Sequence, residues 1–253
     1  MGCLFNFSPF QHYINFIRNS VYMKNNQTKK FVIALGGSVA FPEKINVRYI
    51  KKFYSFIKQE IRRKRKFVIV CGGGYTTRKY QKTAAKIARV TNEDKDWIGI
   101  HSTRLNAHFL RTIFRKESSP VVFDKRFKLK NFNRYSVIIG SGWIPGWSTD
   151  YVAVQIAADF KINQVIMLGK PDYVYTADFE KHKSAKPIKN ISWKNYLKLI
   201  PSRWSPGSHS PVDPVAAKLA MKKKIKVIVA DGKKLDNLKN ILDGQGFKGT
   251  TIF

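Results

Sequence analysis

Acidic residues are scarce in this 253-residue chain: 16 Asp and Glu stand against 47 Lys and Arg, a formal net charge of +31. So large an excess draws polyanions and small anions alike, and does not by itself choose a partner. The basic residues are spread along the chain rather than gathered in one arm. That reads as compositional bias, and no specific nucleic-acid partner is expected. Cysteine is nearly absent. Cys3 and Cys71 make no disulfide framework, so a reducing, cytoplasmic setting is expected. No apolar run is long enough to span a bilayer, and no membrane partner is expected. The opening segment is too broken for a secretory signal. Asn6 stands where myristoylation prefers Ser or Thr. His101, His108, His182 and His209 show no ligand spacing, so no protein-held metal is expected.

What the chain does have is a repeated pairing of apolar runs with glycine. Phe67 to Cys71 is a short apolar run that opens directly into Gly72, Gly73 and Gly74, with Arg78 and Lys79 just beyond. Such a run between breakers reads as a strand buried on both faces. Glycines at its end let backbone approach a ligand, and a following helix aims free N–H groups there, an arrangement that suits phosphate. The same pairing recurs at Phe31–Leu35 with Gly36, Gly37 and Ser38, at Ser136–Ile139 with Gly140, Ser141 and Gly142, and at Gln164–Leu168 with Gly169 and Lys170. Strands alternating with helices predict an α/β fold with a mostly parallel sheet, whose ligands lie beyond the strands' carboxyl ends. Four glycines on that side imply one cleft for several phosphates.

Between these runs, helices are expected over 46–63, 76–90 and 97–114. Tyr80, Ala84, Ile87 and Ala88 are expected inward on the second, and Leu105, Phe109, Leu110, Ile113 and Phe114 on the third. Pro120–Phe123 is a strand candidate and 124–134 a hairpin or loop. Ser148 or Thr149 suits an N-cap. A short helix is expected around Trp193–Leu199. Asp213–Pro214 fits a cap followed by proline in the first turn. Lys226–Ala230 reads as a fifth strand and Gly249–Ile252 as a final edge strand. Trp143 and Trp147 suit either stacking on a base or a subunit contact. Residues 1–29, with aromatics and no periodicity, are expected to be a poorly ordered arm. Residues 30–253 form the domain.

Seven pieces then run in a familiar order: Leu35-Gly-Gly-Ser38; Gly72-Gly-Gly74 with Arg78; Asp96-Trp-Ile-Gly-Ile100 followed by Thr103-Arg104 and Asn106-Ala107; Pro145-Gly146 with Ser148-Thr149-Asp150; Asp172 to Asp178; Asp213 to Ala217; and Gly249 to Ile252. The chain resembles the amino acid kinase superfamily and, within it, archaeal-type uridylate kinases. The resemblance implies a three-layer αβα sandwich and phosphoryl transfer from ATP, with Mg2+, to UMP. It assigns an acceptor part to about residues 30–160 and an ATP part to about 161–253. It places Gly36, Gly37, Ser38, Gly74, Arg78, Gly169, Tyr175 and Asp178 at ATP. It places Gly73, Asp96, Gly140, Ser141, Gly142, Trp143, Pro145, Gly146, Ser148 and Thr149 at UMP. Family members are commonly hexamers built from dimers, so a homo-oligomer is expected. Ala34 stands where much of the superfamily has lysine. The catalytic candidates are therefore Lys170 and Arg78 for charge and Asp150 for orienting cationic side chains. A kinase of this fold with another acceptor, an oxyanion-storage relative and a basic nucleic-acid binder are the alternative readings.

Overall fold

A computed structural model describes residues 28–129, 131–179, 181–203 and 210–253. The expected arm lies outside these residues except for Thr28 and Lys29, as does His209. The elements in order are β1 (Lys29–Leu35), α1 (Gly37–Ala40), α2 (Val47–Arg62), β2 (Arg65–Cys71), α3 (Gly74–Ile87), α4 (Asn92–Ile113), β3 (Val137–Gly140), α5 (Thr149–Asp159), β4 (Gln164–Gly169), β5 (Val174–Tyr175), β6 (Pro187–Ile188), β7 (Asn190–Ile191), α6 (Trp193–Leu199), α7 (Pro214–Lys223), β8 (Lys226–Asp231), α8 (Leu235–Asp243) and β9 (Thr250–Ile252).

The central sheet runs β3-β2-β1-β4-β8-β9-β7. Its first five strands are mutually parallel; β9 then pairs antiparallel with β8 and parallel with β7. Successive side chains of a strand face opposite sides, and the apolar runs serve both. Val32 and Ala34 of β1, with Val68 and Val70 of β2, meet Val152, Ala153 and Ile156 of α5 and Ala216, Ala217 and Ala220 of α7. Ile33, Leu35, Phe67 and Ile69 face the other way, onto Ile50, Phe53 and Ile57 of α2 and Leu238, Ile241 and Leu242 of α8. Each large side chain so buried contributes about 1.5–3 kcal/mol. The result is the expected αβα sandwich.

At the amino ends of the strands, a buried ion cluster ties β2 to two helices. Arg65 pairs with Glu60 of α2 and with Asp243 of α8, and Arg63 reaches the same two carboxylates at 3.1 and 2.7 Å.

Several expectations need correction. Tyr80 and Ile87 are 63% and 81% exposed, and Leu105 is 66% exposed. Periodicity placed them on an inward face. However, α3 packs against α4 rather than under the sheet, and Gly74 is its one buried residue. Helix α4 starts earlier than expected, at Asn92, because Thr91 and Asp94 form a capping box there. Pro120–Phe123 makes a single isolated bridge, Phe123 to Gly140, rather than a strand. Of the two readings for 124–134, the described residues form the loop rather than the hairpin, with a short 3-10 turn at Phe132–Arg134. Strand β9 is not an edge, since β7 covers its outer side. The two-residue strands β5, β6 and β7 were not foreseen.

Candidate active site

The register of the parallel strands sets the carboxyl ends level. Leu35 pairs with both Cys71 and Leu168, and Val70 pairs with Gly140. Gly36, Gly72, Gly140 and Gly169 therefore end four adjacent strands along one rim. Their turns are cross-linked: the Gly36 N–H donates to the Leu168 carbonyl at 2.8 Å, and the Gly72 N–H to the Leu35 carbonyl at 2.9 Å. The turns after β1 and β2 pack backbone against backbone. A Cβ on Gly37 would lie 2.2 Å from the Gly74 nitrogen, so no side chain fits there. Gly74 has φ +71°, and a Cβ there would sit 2.3 Å from the Phe41 carbonyl oxygen. Glycine is thus required twice over at position 74.

The first N–H groups of a helix have no intrahelical acceptor and carry its positive dipole end. Helices α1 and α3 both begin at this rim, with Gly36 and Gly73 as caps that offer no side-chain bond. Ser38 is exposed in the first of these turns and Arg78 half-buried in the second. Lys170 stands exposed just after β4.

The glycine loop 141–147 leaves β3 and is held from one side by α4. The Gly142 N–H donates to the Thr103 hydroxyl at 2.9 Å and the Gly146 N–H to the Asp96 carboxylate at 2.8 Å. Burial pushes the Asp96 carboxyl up, against the pull of that N–H. Ser141 and Gly142 are buried, Pro145 is half-buried and Gly146 exposed. Trp143 is 2% exposed, its ring packed on Phe123 and Trp147 and its indole N–H on the Phe123 carbonyl at 3.0 Å. The Trp143 side chain thus belongs to the core, and its carbonyl, 3.5 Å from the Arg104 guanidinium, lies on the loop side. Trp147 stacks on Tyr151 at 4.4 Å.

Beyond the loop, Ser148 caps α5 by accepting the Tyr151 N–H at 3.0 Å, and its hydroxyl donates to Asp213. The other oxygen of Asp213 accepts the Val215 and Ala216 N–H groups at 2.8 and 3.0 Å, capping α7. Thr149 opens α5. Asp150 follows it and faces a second carboxylate, Asp213. Burial first, and the Asp213 charge second, push the Asp150 carboxyl up, while the Asp213 backbone N–H opposes the shift. On the β4 side, the Tyr175 hydroxyl donates to Asp172 at 2.7 Å, a bond that holds its phenol up at about 12. Phe179 lies 4.8 Å from the Tyr175 ring, and Asp178 is exposed.

The structure thus brings the sequence-derived glycines to one rim and sets the loop after β3 beside it. Sequence reasoning gave no role to Asn106, whose amide donates to the carbonyls of Gly72 and Gly73 at 2.9 and 3.1 Å. A polar residue on the inward stripe of a helix is the signal that marks it. Among the described residues, no group of three or more His, Cys, Asp or Glu forms a metal cage.

Three comparisons bear on this arrangement. The model of the amino acid kinase family matches residues 29–231. The uridylate kinase of Staphylothermus marinus is 32% identical over 209 residues, covering 82% of this chain and 92% of its own. That of Pyrococcus abyssi is 29% identical over 88% of this chain and 99% of its own. The crystal structure of uridylate kinase from Archaeoglobus fulgidus superposes with a TM-score of 0.76 at 29% identity, covering 89% of this chain and all of that one. The glycine rim, the parallel order of its strands and these matches agree: the chain belongs to the amino acid kinase family.

Proposed function

We propose that the protein is a uridylate kinase that transfers the γ-phosphoryl group of ATP to UMP, giving ADP and UDP for pyrimidine nucleotide biosynthesis in the cytoplasm. The observation that carries the reading is the rim itself, where four parallel strands end level and two helices begin at glycine caps that offer no side-chain bond. Phosphoryl transfer asks a protein for positioning and for positive charge around oxygens in flight, and little else. The turns at Gly36–Ser38 and Gly73–Gly74 supply amide donors, and Gly169 leaves room beside them. Arg78 and Lys170 supply positive charge where Ala34 supplies none. The acceptor part spans about residues 30–160, with Gly73, Asp96 and the loop Gly140–Thr149 around UMP. The ATP part spans about 161–253, with Tyr175 and Asp178 toward the donor nucleotide. Asp150 stands at the junction of the two parts.

Mg2+ enters as the ATP complex, where it offsets phosphate charge. No protein cage fits it among the described residues, and no step is assigned to a protein-held ion. A homo-oligomer, in the family's manner a hexamer built from dimers, is the assembly we infer; association is supported by Tyr80, Ile87, Trp97 and Leu105, large apolar side chains left exposed on the α3–α4 pair. The experiment is a panel of nucleoside monophosphates and carboxylate acceptors incubated with ATP and Mg2+. Turnover of UMP above all others supports the reading, and turnover of a different acceptor replaces it.

A further inference from the structure

Helix α4 carries three polar side chains along one stripe, two turns and then one turn apart, and each ends on a loop of the rim. Asp96 and Thr103 accept N–H groups of the acceptor loop. Asn106 works the other way: its one amide nitrogen donates to two successive carbonyls, those of Gly72 and Gly73.

In a trans peptide the carbonyl and the following N–H point in opposite directions. With both carbonyls turned to Asn106, the N–H groups of Gly73 and Gly74 both point away from α4. The backbone agrees. Gly73 is right-handed, at φ −77° and ψ −25°, and Gly74 is left-handed, at φ +71°. That sequence of conformations makes a concave nest of N–H groups suited to an anion. Among the described residues neither N–H donates to a backbone acceptor, whereas the next one, of Tyr75, is taken by the Phe41 carbonyl at 3.0 Å. Asn106 itself is buried, 8% exposed.

We propose that Asn106 is a positioning residue for phosphoryl transfer, setting the two peptide planes of the glycine turn and so the direction in which the Gly73 and Gly74 N–H groups meet the transferring phosphates. It touches no substrate. The proposal rests on the kinase reading only for the identity of the phosphates.

The test compares Asn106→Leu and Asn106→Asp with wild type. Leu keeps the bulk and loses both donors. An Asp carboxyl facing two carbonyl oxygens is held protonated, so it keeps one donor. Turnover per folded molecule should fall in the order wild type, Asp, Leu. For Leu the loss is about 10–100-fold, below the effect of deleting a direct donor, and it falls on kcat more than on KM. The Asp variant should regain turnover relative to wild type as pH falls. If Asn106 merely fills space, Leu is tolerated as well as Asp and the pH profiles coincide; either result overturns the proposal. A second readout needs no acceptor. With glycine amides 15N-labelled, adding ADP and Mg2+ should shift the Gly74 signal in wild type and much less in Asn106→Leu; equal shifts overturn it. Failure of wild type to phosphorylate UMP, with the Gly74 signal still moving, sinks the uridylate reading and leaves this one standing.

Discussion

Asp150, in the first turn of α5, faces Asp213, the cap of α7, so two carboxylates meet where the starts of two helices come together. Asp213 is committed to three donors: Ser148, Val215 and Ala216. Asp150 receives one, the Asp213 backbone N–H, and holds its proton up to about pH 8. The folded state thus binds that proton more tightly than the unfolded chain, where the carboxyl has its ordinary value. Stability contributed by the group is greatest at low pH and declines as pH rises toward 8. Replacing Asp150 with Asn should remove this dependence. At pH 8 the variant should melt above wild type by roughly 2–4 °C, for a gain on the order of 1 kcal/mol. Thermal melts from pH 5 to 9 check it, and parallel curves for the two proteins would contradict it.

The opposite pH behaviour is expected at the far end of the sheet. Hydrogen bonds first from Arg65, then from Arg63 and Lys239, hold the Asp243 carboxyl well below the usual range. Its contribution is present above the ordinary carboxylate value and is lost as pH falls from there through the lowered folded-state value. Arg65→Met leaves the buried Glu60 to the more exposed Arg63 and should cost somewhat less than the ~3–5 kcal/mol of a fully broken buried pair. Chemical denaturation measures this, and kcat per folded molecule should stay at the wild-type value because the cluster lies at the opposite ends of the strands from the glycine rim.

Gly74→Asp should abolish ATP binding, since it places a carboxylate among the phosphate donors in a left-handed residue with no room for Cβ. Gly244→Ala is the control. Gly244 is also left-handed, at φ +72°, but a Cβ there meets nothing within 4 Å. It should cost about 1–2 kcal/mol of stability and leave nucleotide affinity intact. Calorimetric titration with ATP separates the two, and unchanged affinity in Gly74→Asp would remove the site from this rim.

Lys170→Ala and Arg78→Ala should lower kcat more than they raise KM, because charge against transferring oxygens counts most in the transition state. Steady-state kinetics with both substrates varied gives the split. An unaltered rate for Lys170→Ala would return that lysine to the surface and leave Arg78 as the source of charge.

Ile87→Glu and Leu105→Glu should shift the protein toward smaller assemblies, because a charge on an apolar face that is covered in an oligomer opposes association. Sedimentation at several concentrations reads the change. A wild type that sediments as a monomer would leave these side chains without a partner copy.

Much of this molecule was legible in its residues. The runs Phe31–Leu35 and Phe67–Cys71 are apolar at every position, which a strand tolerates only with helices on both faces, and the structure has them there. Asp213 and Pro214 announced the start of α7. The glycines ending four runs announced the rim. Other features needed the third dimension. Periodicity showed that Tyr80 and Ile87 share a face of α3, but not that the helix stands on α4 with that face outward. Trp143 sits in a glycine loop and reads as a ligand contact; its partners, Phe123 and Trp147, come from packing. The strands β5, β6 and β7 span two residues each, too short for alternation to show. Asn106 was visible as a polar residue within a helix, but its work on two carbonyls depends on where β2 ends.

The most direct measurement is product formation from UMP, ATP and Mg2+ by the purified full-length chain, following UDP and ADP together. Equal amounts of the two, saturable in both substrates and lost in Gly74→Asp, are the expected result. ADP without UDP, or no product while another acceptor is phosphorylated, would contradict it.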